Sequence, residues 1–282
     1  MREPSDAIPA DLDIALRLDL GRIRSVLGES SFELLKQGAQ AGGASGDPET
    51  ESLMKDALAR SDTVWLALRP AEKGGLGDSV TILRGRFGGI DPRTAGSGWG
   101  LPADLGAGWR RYDRDKVPSR AAPARIYART DDVLVFVTTA PLDSVERRLE
   151  QGAGDAALDP VEKGLLSVDA RPRRLGLALL DRAPTVGRLL GQAERLRLTA
   201  DLEPQGLVAE LELELAGKAQ AREVAESLGE LARALRTEKG LVSKVVEGLV
   251  VEAVGSKVIL RLKLPPETVA ALLGCAGGKG CG

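Results

Sequence analysis

The sequence predicts an α+β protein made of two tandem repeats, each a mostly antiparallel sheet covered by helices. Two hairpin patterns support this, since β-branched and aromatic residues flank short polar corners at 125–137 and again at 249–262. A proline-led helix start follows each hairpin, at Pro141 and at Pro265. The 282 residues exceed a typical domain of roughly 100–150. We therefore predict a first repeat over residues 1–155 and a second over residues 156–282.

Each repeat is predicted to run strand, helix, strand, strand, connection, strand, strand, helix. In the first repeat the apolar residues alternate at the period of a strand or recur at the spacing of a helix. The predicted elements are a strand over 13–20 that leads into a helix, a second helical segment over 49–60, strands over 63–68 and 79–83, the hairpin over 125–137 and the helix from Pro141.

The second repeat carries matching patterns about 124 residues later. Residues 207–215 alternate strictly between apolar and acidic side chains, which is typical of a strand with one face in water. The predicted elements are strands over 174–180, 196–202 and 207–215, a helix near 186–190, a long helical connection over 218–247, the hairpin over 249–262 and the final helix.

The connection in the first repeat, residues 85–119, is rich in glycine and is predicted to be an irregular loop. Four of the eight aromatic residues of the chain lie in it, namely Phe87, Trp99, Trp109 and Tyr112. Two interpretations remain open. These aromatics either plug the open end of the first repeat or, together with Arg110 and Arg111, contact a partner or ligand, because Trp, Tyr and Arg commonly anchor interfaces.

The chain has no histidine, which removes the usual general base, the commonest metal ligand and every Ser-His or Cys-His nucleophile pair. We predict no catalytic, cofactor or metal-binding residues. Of the carboxylate pairs, Asp11 and Asp13 lie at a strand entry, where calcium binding or acid–base chemistry is the alternative to a structural role, and Asp131 and Asp132 are predicted to form a hairpin corner. An enzyme that works with carboxylates is the third hypothesis for function.

The 39 basic and 41 acidic residues are interspersed, so no net field attracts a phosphate backbone and nucleic-acid binding is not expected. No apolar run reaches the roughly 18 residues that a membrane span requires. The N-terminal residues lack the apolar core of a signal peptide, which leaves a cytoplasmic location open.

Cys275 and Cys281 form either a small-ring disulfide in an oxidising compartment or a pair of free thiols.

The lead-in at 9–13, the ending at 250–260 and the Pro265-Pro266-Glu267 run make the chain similar to uncharacterised envelope lipoproteins of myxobacteria and related delta-proteobacteria. This resemblance implies a duplicated α+β fold, export to the periplasm or outer membrane, and lipid attachment at an upstream cysteine of the native precursor. It implies no activity and no catalytic residues. The sequence departs from the pattern because no lipobox cysteine stands at its start.

The primary hypothesis is a non-enzymatic extracytoplasmic module that binds or scaffolds a partner protein. The alternative is a carrier of a lipid or another small hydrophobic ligand. Apolar strands beneath covering helices can leave such a crevice, although the same residues would also fill an ordinary core.

Overall fold

A computed structural model describes residues 4–26, 48–70, 76–95, 98–120, 122–151, 158, 160, 163–172, 184–237 and 240–276. The protein is α+β, with antiparallel strands covered by a few helices. The chain divides into two compact units. Unit 1 contains residues 1–22 and 39–159, and unit 2 contains residues 23–38 and 160–282.

Unit 1 contains an antiparallel sheet with strand order β1-β2-β3-β7-β6-β5-β4. Helix α1, residues 20–26, follows β1 directly, and its residues 23–26 belong to unit 2. Its first turn is capped by the Asp19 carboxylate, which accepts a hydrogen bond from the Arg22 N–H. The other elements are β1 Ile14–Asp19, α2 Pro48–Ala59, β2 Ser61–Pro70, β3 Leu76–Gly85, β4 Ala103–Gly106, β5 Trp109–Asp113, β6 Arg125–Arg129, β7 Val133–Val137, α3 Leu142–Gln151 and short 3₁₀ turns at Pro4–Ala7 and Pro92–Ala95.

The centre of the unit 1 sheet is buried on both faces. All five residues of the central strand β7 are buried, which explains why the segment reads as an unbroken apolar run. One face packs against Val145 of α3 and the N-terminal segment in a single apolar core. The strand pairing places Leu83, Leu134 and Phe136 on the opposite face, and these side chains are also buried.

Unit 2 contains an antiparallel sheet with strand order β11-β12-β10-β9-β8. A core cluster joins Leu213 and Val258 of the sheet to Leu189 of α4 and to Ala221 and Val224 of α5. The elements are β8 Leu166–Ala170, α4 Pro184–Gly191, β9 Arg195–Glu203, β10 Gly206–Glu214, α5 Lys218–Arg236, α6 Leu241–Glu247, β11 Leu249–Val254, β12 Lys257–Leu264 and α7 Pro266–Ala276.

Most of the predicted elements are confirmed. The hairpins over 125–137 and 249–262 are β6–β7 and β11–β12, and the helix starts at Pro141 and Pro265 lead into α3 and α7. The corner at Asp131 and Asp132 is also confirmed. It is held by hydrogen bonds from the Asp132 N–H to the Arg129 carbonyl oxygen (3.3 Å) and from the Thr130 hydroxyl to the Asp132 carboxylate (2.7 Å).

One prediction of secondary structure was wrong. Residues 85–119 are not an irregular loop throughout, because they contain β4 and β5, which extend the sheet next to β6. The glycines of this segment lie mainly in the turns, and Gly106 and Gly108 have the positive φ that the β4–β5 turn requires. The predicted helical connection over 218–247 is confirmed. It consists of two helices, α5 and α6, and the second begins after Gly240, which also has positive φ.

Other predictions fall on residues whose placement is not described. The strand predicted over 174–180 lies outside the described residues, and β8, at Leu166–Ala170, precedes it in the chain. The Cys275–Cys281 pair lies outside the described side chains, so its redox state stays a prediction.

Substitution of Gly206 should lower the stability of unit 2, whereas substitution of Gly229 should raise it. A Cβ at Gly206 would meet the Leu264 carbonyl, and its φ of +123° is strained for other residues. We expect Gly206→Ala to lower the free energy of unfolding by more than about 1 kcal/mol. Gly229 lies in α5 with nothing within 4 Å of an added Cβ. Gly229→Ala should therefore raise stability by about 0.5–1 kcal/mol. Urea unfolding measures both changes, and a loss for both variants would contradict this account.

Both tyrosines of the chain should ionise at unusually high pH. Tyr112 is 2% exposed and Tyr127 is 0% exposed. Burial raises the pKa of each phenol, although the guanidinium of Arg125 partly opposes the rise at Tyr127. Because the folded state favours the neutral phenols, this stabilisation is present below about pH 10, the unfolded pKa, and is lost as the pH rises through the folded pKa. Titration of tyrosinate absorbance in wild type and in Tyr112→Phe measures the two phenol pKa values. Midpoints near the ordinary value of about pH 10, reached without unfolding, would show that the phenols are solvated.

Candidate functional site

The aromatic residues of the 85–119 segment do not form one exposed patch. All four are buried, and Trp99 and Trp109 are only 5% and 7% exposed. The period-two alternation of β5 sends Trp109 and Arg111 to one face of the unit 1 sheet and Arg110 and Tyr112 to the other. In this structure the aromatic side chains therefore act as core residues, and none of them is an exposed anchor.

Arginines stack over the aromatic residues of this segment. The guanidinium carbon of Arg114 lies 5.3 Å from the centre of the Trp99 ring, and that of Arg129 lies 5.6 Å from the centre of the Trp109 ring. A backbone bridge pairs Trp99 with Arg114, and the Gly100 N–H donates to the Asp113 carbonyl oxygen at 2.9 Å. Tertiary contacts thus hold Trp99 in place although its sequence neighbours are glycines.

The two arginines of the predicted contact set have different environments. Arg111 lies 2.8 Å from Glu146 and 3.0 Å from Asp113, and Arg125 donates to the same two carboxylates. This network joins β5 and β6 to α3, so Arg111 is committed to internal pairing. Arg110 is 46% exposed and reaches Asp131 only at 4.0 Å. Of the predicted contact set, it alone presents a largely exposed side chain.

The predicted carboxylate pair Asp11 and Asp13 belongs to a cluster of ion pairs. Arg69 lies 2.9 Å from Asp11, 4.0 Å from Asp13 and 3.3 Å from the buried Asp78. A hydrogen bond from Arg120 holds the pKa of Asp78 below its usual range, in opposition to burial. In the described parts of the chain, no group of three or more Cys, Asp or Glu residues is arranged to hold a metal ion.

The surface best suited to binding lies on the unit 2 sheet. Antiparallel pairing aligns apolar side chains into rows that cross the strands on the side that faces the helices. One row is Val168, Leu198, Leu211, Leu260 and Val251, and the next is Leu166, Ala200, Ala209, Leu262 and Leu249. We call these ten residues the apolar rows.

The apolar rows are only partly covered. Each of their ten side chains is half-buried, whereas in the neighbouring row Ala170, Leu213 and Val258 are fully buried. The cluster that includes Ala221 and Val224 of α5 contains Leu213 and Val258 of that row, and Leu211, Val251 and Leu260 of the first apolar row pack against it. The helices therefore bury the middle of the neighbouring row and leave the apolar rows partly exposed to solvent.

The opposite side of the same sheet is charged. Glu212 lies between Arg197 and Lys257, at 3.6 and 2.9 Å, and Arg261 joins Glu210 and Glu252 at 2.9 and 2.8 Å. The strict alternation of residues 207–215 indicated these two sides. The sequence did not show that the apolar side would stay half-buried, because that depends on how far the helices reach across it.

Among the described residues, no helix is long and apolar enough to cross a membrane.

No family model matches the chain, and no curated protein matches it. Solved structures are similar to it in fold. Crystal form III of TP0453 matches with a TM-score of 0.51 and 11% identity over 97% of this chain and 98% of that chain. Crystal form I of TP0453 matches with a TM-score of 0.50 and 10% identity over 98% of each chain. At this identity the likeness concerns the fold alone.

Proposed function

We propose that the protein is a non-enzymatic binding protein whose second unit holds a small hydrophobic ligand between its sheet and helices. The observation that carries this proposal is the pair of half-buried apolar rows. Ten apolar side chains from five strands lie in register on one side of a sheet, and all of them keep part of their surface exposed.

The chemistry of the rows defines the class of ligand. Every residue that the paired strands β8–β12 direct to this side is Leu, Val or Ala, so the surface offers neither charge nor side-chain hydrogen bonds. Removal of apolar surface from water is favourable by about 25 cal/mol per Å². The part of a ligand that lies on the rows must therefore be a hydrocarbon, as in the acyl chain of a lipid.

The position of α5 supports a ligand between sheet and helix. Ala221 and Val224 of this helix pack against the buried end of the sheet, and Leu228 is half-buried against the same cluster. Farther along the helix, Leu231 and Leu235 are also half-buried. The helix thus contributes further partly exposed leucines on the same side of the sheet as the rows.

We further propose that the two units arose by tandem duplication and that the protein works outside the cytoplasm. The matching hairpin and helix-start patterns at 125–141 and 249–265 support the duplication. The resemblance to myxobacterial envelope lipoproteins supports export to the periplasm or outer membrane, with a lipid anchor in the precursor.

Binding of a partner protein is the second candidate function. The exposed guanidinium of Arg110 favours it, because Arg is enriched at the centres of interfaces. It ranks lower because the aromatic residues that would accompany Arg110 are buried. A carboxylate-based enzyme is third, since Asp11, Asp13 and Asp78 are engaged by arginine.

Ala209→Phe tests the apolar rows. It adds a ring among half-buried side chains and should weaken binding of the fluorescent fatty acid parinaric acid at least about tenfold, because displaced contact area costs affinity. Val208→Phe is the matched control, since the neighbouring residue lies on the charged side of the same strand. Binding is read from the rise of probe fluorescence, and thermal unfolding verifies both variants. The absence of binding to wild type, or equal loss in both variants, would refute the proposal.

A further inference from the structure

Five arginines from different segments lie at one end of the unit 1 sheet, where β3 ends and β6 turns into β7, with Arg84 and Arg129 on one face and Arg110 on the other. We call them the arginine end: Arg60, Arg84, Arg86, Arg110 and Arg129. Backbone hydrogen bonds join the segments, from the Arg86 N–H to the Arg60 carbonyl oxygen (3.1 Å), from the Gly85 N–H to that of Asp132 (3.0 Å) and from the Phe87 N–H to that of Asp131 (2.7 Å).

Glycine makes this junction possible. A Cβ at Gly85 would collide with the backbone of Arg60 and Ser61, so only glycine allows the two segments to approach. The Arg60 guanidinium also donates to the Gly88 carbonyl oxygen at 3.3 Å. Arg84 and Arg129 are the partners of Val133 in the strands on either side of β7. The arginines are therefore placed by regular pairing and a tight backbone contact.

The arginine end carries an excess of positive charge. Its two aspartates are already paired, since Asp132 lies 3.2 Å from Arg129 and Asp131 lies 4.0 Å from Arg110. Arg60, Arg84 and Arg86 are exposed, and no carboxylate of the described residues lies within 4.0 Å of them. Elsewhere in the unit, Arg69, Arg111, Arg120 and Arg125 all have carboxylate partners.

The lowered pKa of Asp132, at the β6–β7 turn, is consistent with the positive charge of the arginine end. Burial would raise the pKa of Asp132, but hydrogen bonds from Thr130 and Arg129, together with the charge of Arg84, hold that pKa below its usual range. The positive charge of Arg84 therefore stabilises the ionised carboxylate of Asp132. The whole chain has a formal charge of −2, so this positive field is local to the arginine end.

We propose that the arginine end binds phosphate groups. Guanidinium groups donate paired, charge-assisted hydrogen bonds that match the geometry of phosphate oxygens. An anion there would offset the repulsion among Arg60, Arg84 and Arg86, which have no carboxylate within 4.0 Å among the described residues. The phosphate belongs either to a free anion or to a lipid headgroup. This inference does not depend on the binding of a hydrophobic ligand by unit 2.

The test compares two charge-matched triple variants of the full chain. R60Q/R84Q/R86Q removes the three arginines of the site that have no carboxylate within 4.0 Å in the described part of the chain. R147Q/R222Q/R233Q removes three exposed arginines of α3 and α5 that also have no carboxylate within 4.0 Å among the described residues. Calorimetric titration with pyrophosphate measures a free anion, and co-sedimentation with phosphatidylglycerol vesicles, against phosphatidylcholine, measures headgroups. We expect the first variant to lose at least about tenfold in affinity in one of the two assays and the control to stay within about twofold.

The two assays separate the sources of phosphate. Loss of pyrophosphate binding assigns a free anion, and loss of vesicle binding alone assigns headgroups. Equal weakening of binding in both triple variants would show that only the net charge of the protein matters, and it would overturn the proposal. The absence of wild-type binding in both assays would also overturn it. If the triple variant does not fold, R60Q and R86Q serve singly, and each should weaken binding by several-fold.

Discussion

The constraint on which both units depend is the alternation of side chains along antiparallel strands. Each strand directs successive residues to opposite sides, so the pattern of residue types decides what each side of a sheet must contact. In unit 1 both sides are apolar at the centre and both are buried, as the fully buried β7 demonstrates. In unit 2 one side is apolar and the other is a ladder of ion pairs. The two sheets therefore have different relations to solvent although both are antiparallel.

This difference determines where in each unit we propose that a ligand binds. In unit 1 the described aromatic residues are buried in the core, and the proposed phosphate site is the arginine end, at the ends of β3 and β6. The sheet of unit 2 keeps ten half-buried apolar side chains on the side that faces the helices. Burial of apolar area is favourable in proportion to that area, so a partly covered apolar surface gains stability from any hydrocarbon that completes its cover. The apolar rows and the arginine end are thus separate surfaces with opposite chemistry.

The sequence predicted local structure well where period and turn chemistry agreed. The β6–β7 and β11–β12 hairpins, the proline-led helices and the charged side of β10 all follow from short patterns. The prediction of an irregular loop over residues 85–119 is wrong because glycine is common in turns and in irregular segments alike, and because β4 and β5 are short. The aromatic residues of this segment are close in sequence, and this closeness alone suggests one candidate surface. Alternation in β5 separates Trp109 from Tyr112, a consequence that becomes visible only once β5 is known to be a strand.

The candidate sites were harder to predict than the fold because each depends on long-range pairing. No local pattern distinguishes Arg84, which has no carboxylate within 4.0 Å among the residues that the structure describes, from Arg125, which has two. The apolar rows require the register of five strands, and their exposure requires the extent of α5. Ion pairing, strand register and exposure can be read only from the folded structure, whereas most of the strands can be predicted from the sequence.

Native mass spectrometry of the protein, purified gently from its own host, tests the central claim most directly. If the apolar rows hold a small hydrophobic ligand, the folded protein should exceed the mass calculated for residues 1–282, and the excess should disappear on denaturation. Extraction of the released compound should then yield a molecule with a hydrocarbon portion. A native mass equal to the calculated mass, together with no uptake of added fatty acid, would contradict the claim and favour a role in partner binding.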